Sequence, residues 1–357
     1  MGLSSSSNFK LWSRFAPGPK NLITDLAGIT VGHVTLEAPD KGIHTGVTAL
    51  LPSPDNLFRN KLPCGCAVIN GFGKTTGLVQ VRELGQLESP ILFTNTLSVG
   101  TALTALVRYM LRESPEIGTT SSTVNGIVTE CNDGSLNDIR GLHVTEAMVQ
   151  EALTRTETDF AEGPVGAGCG MVCMGLKGGI GSASRRVPIK AWPGMVGSLV
   201  LTNFGRRENL RINGIPVNPS PQEASPICTE GDRGSCIIVL ATDLPLSSRQ
   251  LSRLARRSMI SLGRLGSYSG NGSGDIAIAF STAQTIPNDP EQALLSLRFL
   301  TDAALDPVFE AGCECVEEAL LSSLTHGKTT TGFQGKTVLS LDDYLAELGR
   351  NLHEFSL

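Results

Sequence analysis

Short runs of β-branched and aliphatic residues recur along the chain, and each is bounded by Gly, Pro or Asn. Runs of this length and composition are typical of β-strands. The run that follows Ser235 is apolar at nearly every position, which favours a strand covered on both faces of its sheet. The predicted strands are Gly28–Val34, Gly46–Leu51, Ala67–Asn70, Ile91–Thr96, Val124–Thr129, Ala167–Met174, Gly197–Phe204, Cys236–Thr242 and Asp275–Ser281.

Longer stretches with apolar residues at helical spacing lie between and after these runs, and they predict helices. Strands and helices interleave through the whole chain, so we expect one α/β domain spanning residues 1–357. The predicted helices are Ser98–Arg112, Val144–Arg155, Ser247–Leu262, Glu291–Leu305, Val308–Thr325 and Leu341–Phe355.

Composition excludes several classes of function. The chain is 40% hydrophobic and 18% charged, which is typical of a globular protein with a large core. Its net charge is −5, only 5% of residues are aromatic, and no basic stripe stands out, so we expect no nucleic-acid binding. No apolar run approaches the roughly 18 to 20 residues of a membrane span, and we expect no membrane association.

The nine cysteines form no pattern typical of a metal site. Cys64 and Cys66, and likewise Cys313 and Cys315, are C-x-C pairs, but the five histidines are scattered and no C-x-x-C pair occurs. We therefore expect reduced thiols, no metal and a cytoplasmic protein. The start of the chain, Met1–Ser6, fits the loose pattern for myristoylation, although its Ser-rich composition favours a flexible tail.

The junction at Gly234–Ser235 is unusual. The segment Asn218–Arg233 is rich in Pro, Ser and charge, and it runs directly into the apolar strand after Ser235. If the bond before Ser235 breaks, a hydroxyl and a new α-amine, whose pKa would be about 8, lie together at the edge of a rigid sheet. Taken alone, the dipeptide favours a plain joint between a loop and a strand.

Several long blocks, in order, change this interpretation. Together they resemble a family of self-cleaving hydrolases that includes the L-aminopeptidase/D-esterase-amidases and the β-peptidyl aminopeptidases. The resemblance covers about residues 20 to 350 and implies an α/β fold: a four-layer αββα sandwich, similar to N-terminal nucleophile hydrolases but with different connectivity. The blocks are Asp25–His33, Asn70–Leu78, Pro90–Gly100, Thr129–Arg140, Gly166–Arg185, Leu199–Arg207 and Gly234–Leu246.

The resemblance implies a role for each residue of a catalytic set. Ser235 matches the nucleophile, and Gly234–Ser235 matches the point of self-cleavage. Ser273 and Asp275 match the second serine and the acid that support the nucleophile. Asp275 can orient Ser273, and Ser273 can relay a hydrogen bond to Ser235 or to its freed amine.

Substrate binding is also implied by the resemblance. Asn203 matches a residue near the oxyanion site, and Glu130 matches the acid that receives the free amine of the substrate. One departure is Ser135, where an aromatic residue is expected, which suggests a difference in substrate size or rate.

The implied function is hydrolysis of N-terminal amino acids from small peptides, amides and esters through an acyl-enzyme on Ser235, with no cofactor. The chains 1–234 and 235–357 are expected to stay together and to assemble as a tetramer of αβ heterodimers. Three alternatives stay open: an endo-type amidase on oligomeric amides, an acyl transferase (against which Ser235 argues, since such relatives use threonine), and an uncleaved, non-catalytic relative. Preference for L-, D- or β-amino acids is also left open.

Overall fold

A computed structural model describes residues 11–190, 192–218, 234–289 and 293–356 of the protein. The myristoylation pattern at Met1–Ser6, Cys228 and nearly all of the segment before Gly234 lie outside these ranges. The longer strands in the described part are β1 (Thr30–Ala38), β2 (Ile43–Leu51), β3 (Asn60–Gly71), β4 (Ile91–Asn95), β5 (Ile127–Cys131), β6 (Ile180–Val187), β7 (Gly194–Asn203), β8 (Ser235–Thr242) and β9 (Gly274–Ser281).

These strands form two sheets. Sheet I has the order β1-β2-β4-β5, and sheet II has the order β3-β9-β8-β7-β6. The pairs β4–β5 and β8–β9 are parallel, whereas the other pairs are antiparallel. Two-residue strands add short pairings at Gln86–Leu87, Val172–Cys173, Leu176–Lys177, Arg211–Ile212, Ile215–Pro216, Ile286–Pro287, Thr330–Thr331 and Thr337–Val338.

Three of the described α-helices begin at a residue whose side chain caps them, the third, fourth and seventh along the chain. Thr145 accepts a hydrogen bond from the backbone at the start of the third helix, and Ser247 forms a reciprocal capping box with Gln250 at the start of the fourth. The α-helices of the described residues are α1 (Leu78–Leu84), α2 (Val99–Glu113), α3 (Glu146–Thr154), α4 (Ser248–Arg256), α5 (Ser258–Arg264), α6 (Asp306–Thr325) and α7 (Leu341–Glu347).

Three hydrophobic clusters separate four layers. One joins α2 and α3 to sheet I, one lies between the two sheets, and one joins sheet II to α4, α5, α6 and α7. Strand β8 contributes to the last two of these clusters, because Ile238 faces the helices while Ile237 faces sheet I. The order of layers is therefore αββα, as expected, and β8 is buried on both faces.

Two predicted elements are wrong. Residues 167–174 do not form one strand, because Gly166 and Met174 adopt positive φ and the ammonium of Lys177 draws the carbonyl groups of Gly168 and Met171 inward. Residues 293–301 of the predicted helix Glu291–Leu305 are not helical. Leu294, Leu295 and Phe299 are exposed, and only Leu300 packs at the edge of the core cluster. The backbone of this segment bonds to neighbouring segments instead of to itself.

Other boundaries differ in ways that have local causes. The predicted helix Ser247–Leu262 is two helices that meet at Arg257, and Leu341–Phe355 ends as an α-helix at Glu347, before Gly349 turns the chain with positive φ. No helix in the described ranges has both the length and the apolar character needed to cross a bilayer.

Candidate active site

Ser235 is the first residue of β8, at the edge of sheet II where β7 ends and β8 and β9 begin. It lies directly opposite Asn203, the last residue of β7, and beside Gly274, the first residue of β9. Its carbonyl oxygen accepts a hydrogen bond from the thiol of Cys131 on sheet I at 3.4 Å. The residue is 5% exposed, so the hydroxyl lies in a largely desolvated position on a rigid scaffold.

The hydroxyl of Ser235 lies against the carbonyl of the preceding residue. Its Oγ donates to the carbonyl oxygen of Gly234 at 2.7 Å. The backbone N–H of Gly274 reaches both groups, at 3.3 Å from Ser235 Oγ and 3.1 Å from Gly234 O. One backbone donor therefore contacts both the candidate nucleophile and the oxygen on which charge would develop.

Close backbone contacts at this point leave room only for glycine. A Cβ on Gly234 would lie 2.3 Å from the carbonyl oxygen of Asn203, which no packed structure tolerates. A Cβ on Gly274 would lie 3.0 Å from Ser235 Oγ and from the Cα of Gly73. Glycine at positions 234 and 274 therefore lets the neighbouring backbone segments pack closely around the serine.

Ser273 and Asp275 form a buried pair beside the nucleophile. Ser273 Oγ donates to Asp275 Oδ1 at 2.8 Å, and both residues are fully buried. Among the described residues, Ser273 Oγ makes no direct hydrogen bond to Ser235 Oγ, which instead accepts from the N–H of Gly274, the residue after Ser273. The expected relay from Ser273 to the serine or its amine remains a prediction.

Asn70, on β3, anchors the loop that carries Ser273. Its Nδ2 group donates to the carbonyl oxygen of Gly270 at 2.9 Å and to that of Ser273. Next to this contact, the pairing of β3 with β9 shifts register between Asp275 and Ile276. Such irregularities re-aim side chains near functional sites.

Asn203, at the end of β7, lies directly opposite the nucleophile on the adjacent strand β8. Its Oδ1 accepts a hydrogen bond from the backbone N–H of Val172 at 2.9 Å. This fixes the amide so that its Nδ2 end is the remaining donor, and within the described part of the chain that end makes no hydrogen bond. The arrangement supports the predicted oxyanion role.

Glu130, on β5 of sheet I, lies near Gly73, and Gly73 in turn lies against Gly274, the neighbour of Ser235. The carboxylate is 2% exposed, and its Oε1 accepts from the backbone N–H of Lys74 at 2.8 Å. Thr96 donates to its Oε2. A Cβ on Gly73 would lie 3.5 Å from Glu130 Oε1. A buried carboxylate held in this way can bind an ammonium group close to the serine.

The neighbouring thiols do not compete as nucleophiles. Burial is the main reason that the pKa values of Cys131 and Cys236 lie well above that of a free thiol, so both remain neutral. Ser135, in place of the expected aromatic residue, accepts a hydrogen bond from the exposed ammonium of Lys336 at 3.4 Å.

Comparison with known proteins identifies the family. A model described as peptidase family S58 matches residues 21–338. The chain belongs to this family. A β-peptidyl aminopeptidase of Sphingosinicella microcystinivorans is 38% identical over 347 residues, covering 91% of this chain and 86% of that protein.

Two solved structures match the fold of this S58 peptidase. A protein of Pyrococcus horikoshii OT3 has a TM-score of 0.87 at 45% identity, covering 96% of this chain and 98% of that one. The L-aminopeptidase D-Ala-esterase/amidase of Ochrobactrum anthropi has a TM-score of 0.85 at 36% identity, with the same coverage. The latter is described as a prototype serine aminopeptidase and a variant of the Ntn hydrolase fold. The predicted family, the α/β fold and the class of serine hydrolase with aminopeptidase function are thus confirmed.

Sequence reasoning missed several residues of the site. Gly274, Asn70 and Thr96 hold the nucleophile, the Ser273 loop and the Glu130 carboxylate, respectively. Asn70 and Thr96 lie in blocks that carry the family resemblance, and Gly274 lies between two residues of the implied catalytic set, but no spacing along the chain connects them to their partners. The register of β3, β8 and β9 brings Gly274 and Asn70 to their partners, and the parallel pairing of β4 with β5 brings Thr96 to Glu130.

Proposed function

We propose that this protein cuts its own chain between Gly234 and Ser235, and that the freed serine then hydrolyses N-terminal amino acids from small peptides, amides and esters. The observation that carries the proposal is the geometry at this bond. Ser235 Oγ lies 2.7 Å from the carbonyl oxygen of Gly234, and the N–H of Gly274 contacts both oxygen atoms.

Self-cleavage would begin with attack of Ser235 Oγ on the carbonyl carbon of Gly234. A C–O bond forms, the C–N bond to Ser235 breaks, and the hydroxyl proton passes to the released nitrogen. Gly274 N–H, with Asn203 as a second donor, stabilises the oxyanion. Water then hydrolyses the ester, which leaves a carboxylate on Gly234 and restores the hydroxyl beside a new α-amine.

The same atoms would act in turnover. The α-amine of Ser235, whose pKa would be about 8, takes the hydroxyl proton as the serine attacks a substrate carbonyl. The Ser273–Asp275 pair orients the amine and favours its protonated form. The leaving amine or alcohol receives the proton, and water hydrolyses the acyl-enzyme.

Selection for N-terminal residues follows from Glu130. The buried carboxylate lies next to Gly73, which itself contacts the Gly274 that flanks the nucleophile. An α- or β-ammonium group bound there would place the first carbonyl of the substrate at Ser235. The names of the relatives agree with this choice, since they include a β-peptidyl aminopeptidase and an L-aminopeptidase D-Ala-esterase/amidase.

Assembly and location are also part of the proposal. The family resemblance favours a tetramer of αβ heterodimers, which light scattering of the purified protein would measure. The many cysteines favour a reducing compartment such as the cytoplasm.

Intact mass spectrometry and a denaturing gel of fresh protein test the proposal. The wild type should give two chains, the second beginning at Ser235. Ser235→Ala should give one chain and no activity, whereas Ser122→Ala, at an exposed serine, should behave as the wild type. An active wild-type protein that stays whole would refute self-cleavage, and a cleaved but inactive protein would refute the hydrolase.

A panel of p-nitroanilides of L-Ala, D-Ala and β-Ala would define the substrate. Each differs only in how the amine is placed relative to the carbonyl, so the relative kcat/KM values measure the fit between Glu130 and Ser235. Hydrolysis of N-blocked oligomeric amides instead would favour the endo-type amidase.

A further inference from the structure

A second cluster of chemically active side chains lies away from Ser235, on sheet I. Glu37 of β1 and His44 of β2 are direct cross-strand partners, and Nδ1 of His44 is 3.4 Å from Oε1 of Glu37. Cys169 follows the turn at residues 166–168, which packs on the same two strands. One ligand atom from each of these three residues lies within 4.8 Å of the other two.

The imidazole of His44 points to a ligand. Its side chain is 1% exposed, and among the described residues Nε2 has no hydrogen-bond partner, while Nδ1 has only the 3.4 Å contact with Glu37, which does not meet hydrogen-bond geometry. Buried polar groups are normally satisfied, and leaving one unpaired is costly. Cys169 is also buried, whereas the side chain of Glu37 is 55% exposed and gives the cluster an opening to solvent.

We propose that Glu37, His44 and Cys169 bind a zinc ion. One sulfur, one imidazole nitrogen and one carboxylate oxygen form a donor set that suits Zn²⁺, with the fourth position open to water. Zinc bonds of about 2.0 to 2.3 Å place tetrahedral ligands about 3.3 to 3.8 Å apart, so closure needs side-chain movements on the order of 1 Å. Binding releases the thiol proton of Cys169 to solvent and forms the Zn–S bond.

The charges around the cluster are compatible with a cation. Two carboxylates, those of Glu37 and Asp133, lie close enough to the sulfur of Cys169 to interact with its charge. The ammonium of Lys177 is also near, but it is held by three backbone carbonyl groups. Those carbonyl groups belong to Gly168, Met171 and Gly178, at 3.2, 2.9 and 2.7 Å.

The proposed ion would be structural rather than a participant in hydrolysis. The loop after Cys169 is pressed against β2, since a Cβ on Gly170 would lie 2.2 Å from the carbonyl oxygen of His44. Two residues further on, the N–H of Val172 holds the amide of Asn203. Zinc at this point would fasten the loop that orients the candidate oxyanion donor.

Cobalt titration of the tag-free, full-length protein tests the site without relying on activity. After treatment with a chelator, one equivalent of Co²⁺ should produce a thiolate-to-cobalt charge-transfer band and the strong visible bands of a four-coordinate ion. Equimolar Zn²⁺ should abolish both sets of bands. Zinc should also raise the melting temperature of the wild type.

Variants assign the ligands. Cys169→Ser should lose the charge-transfer band, and Glu37→Gln, which changes an exposed residue and should fold normally, should weaken cobalt binding by at least about 10-fold. Cys66→Ser, at a half-exposed thiol on β3, is the matched control and should retain both. Absence of the band in the wild type, its loss in Cys66→Ser, or unchanged affinity in Glu37→Gln would overturn the proposal.

Discussion

At the scale of single residues, the proposed function assigns to Glu130 the recognition of the free amine of the substrate. Glu130→Gln keeps the size of the side chain and an oxygen for the N–H of Lys74, but it removes the negative charge. Because a hydrogen bond to a charged group contributes about 1.5 to 3 kcal/mol, kcat/KM for a free-amine p-nitroanilide should fall by about 10- to 100-fold. Steady-state kinetics measures this loss.

This prediction has two controls, a substrate without an ammonium group and a variant at a distant glutamate. An N-acetylated ester carries no ammonium group, so its hydrolysis, if detectable, should be little affected by Glu130→Gln. Glu83→Gln, at an exposed residue of α1, should leave both substrates unaffected. Unchanged kinetics with the free amine would remove Glu130 from substrate recognition.

His33 gives the fold a dependence on pH. Burial lowers the pKa of its imidazole to about 4, from about 6.5 in the unfolded chain. The folded state therefore binds the proton less readily, and the stabilisation is complete above about pH 6.5 and lost as the pH falls towards 4. Near pH 4.5 the loss should be about 2.5 kcal/mol.

Urea unfolding at neutral pH and near pH 4.5 measures this effect. The decrease in the free energy of unfolding should be smaller in His33→Gln than in the wild type by about that amount. His353→Gln, at an exposed histidine, should keep the full decrease. A variant at position 33 that loses as much stability in acid as the wild type would contradict the prediction.

At the scale of elements, the backbones of β6 and α6 approach each other more closely than any side chain at position 181 would allow. Arg185 of β6 is buried and pairs with Glu314 of α6 at 3.2 Å and with Glu318. A Cβ on Gly181 would lie 1.9 Å from the carbonyl oxygen of Ala319. Gly181→Ala should therefore force the helix off the sheet and lower the free energy of unfolding by about 1 to 3 kcal/mol or more.

Thermal or urea unfolding of the Ser235→Ala protein, which keeps one chain, provides the measurement. Gly263→Ala is the matched control, because Gly263 lies in α5 with open space around it and alanine is the better helix former. It should be neutral or slightly stabilising. Equal stability of both variants would mean that the backbone of β6 can move without cost.

The same region shows how far sequence predicts structure here. Strands with continuous aliphatic runs, such as β8 and β9, were predicted to within a residue or two. Strand β6 was missed because its inward positions are small or polar: Ser182 and Ser184 bond to Ser198 and Asp25, and Arg185 pairs with α6. These hydrogen bonds and ion pairs hold β6 in place, as apolar contacts hold the other strands.

The site was predictable only through the family resemblance. Ser235, Ser273, Asp275, Asn203 and Glu130 were all named from residues that match the family. The structure places the first four at neighbouring strand ends of sheet II and Glu130 on β5 of sheet I, near Gly73. The residues that hold them were not predicted, because strand register and loop contacts are long-range properties. The helix Glu291–Leu305 was wrong for a related reason: helical spacing does not show whether a core is present to cover.

At the scale of the whole molecule, the two proposed chains are interleaved. Strands β8 and β9 would belong to residues 235–357, yet in sheet II they lie between β3 and β7 of residues 1–234. Cleaved chains should therefore co-elute under native conditions and separate only when the protein is unfolded. Size-exclusion chromatography with and without guanidinium measures this.

Refolding gives the sharper comparison. Separated chains must find each other, so recovery of the native fold should depend on protein concentration. Ser235→Ala, as a single chain, should refold at a rate independent of concentration. Concentration-independent recovery of the cleaved protein would show that one chain folds without the other.

The shared N–H of Gly274 carries a further consequence for how the molecule would be activated. The donors around Ser235 come from positions 203 and 274, which meet only when both neighbouring strands are in register. A misfolded copy would fail to assemble them and would remain inert. Cleavage of the molecule's own peptide bond would thus require correct folding, and only correctly folded molecules would go on to act on other substrates.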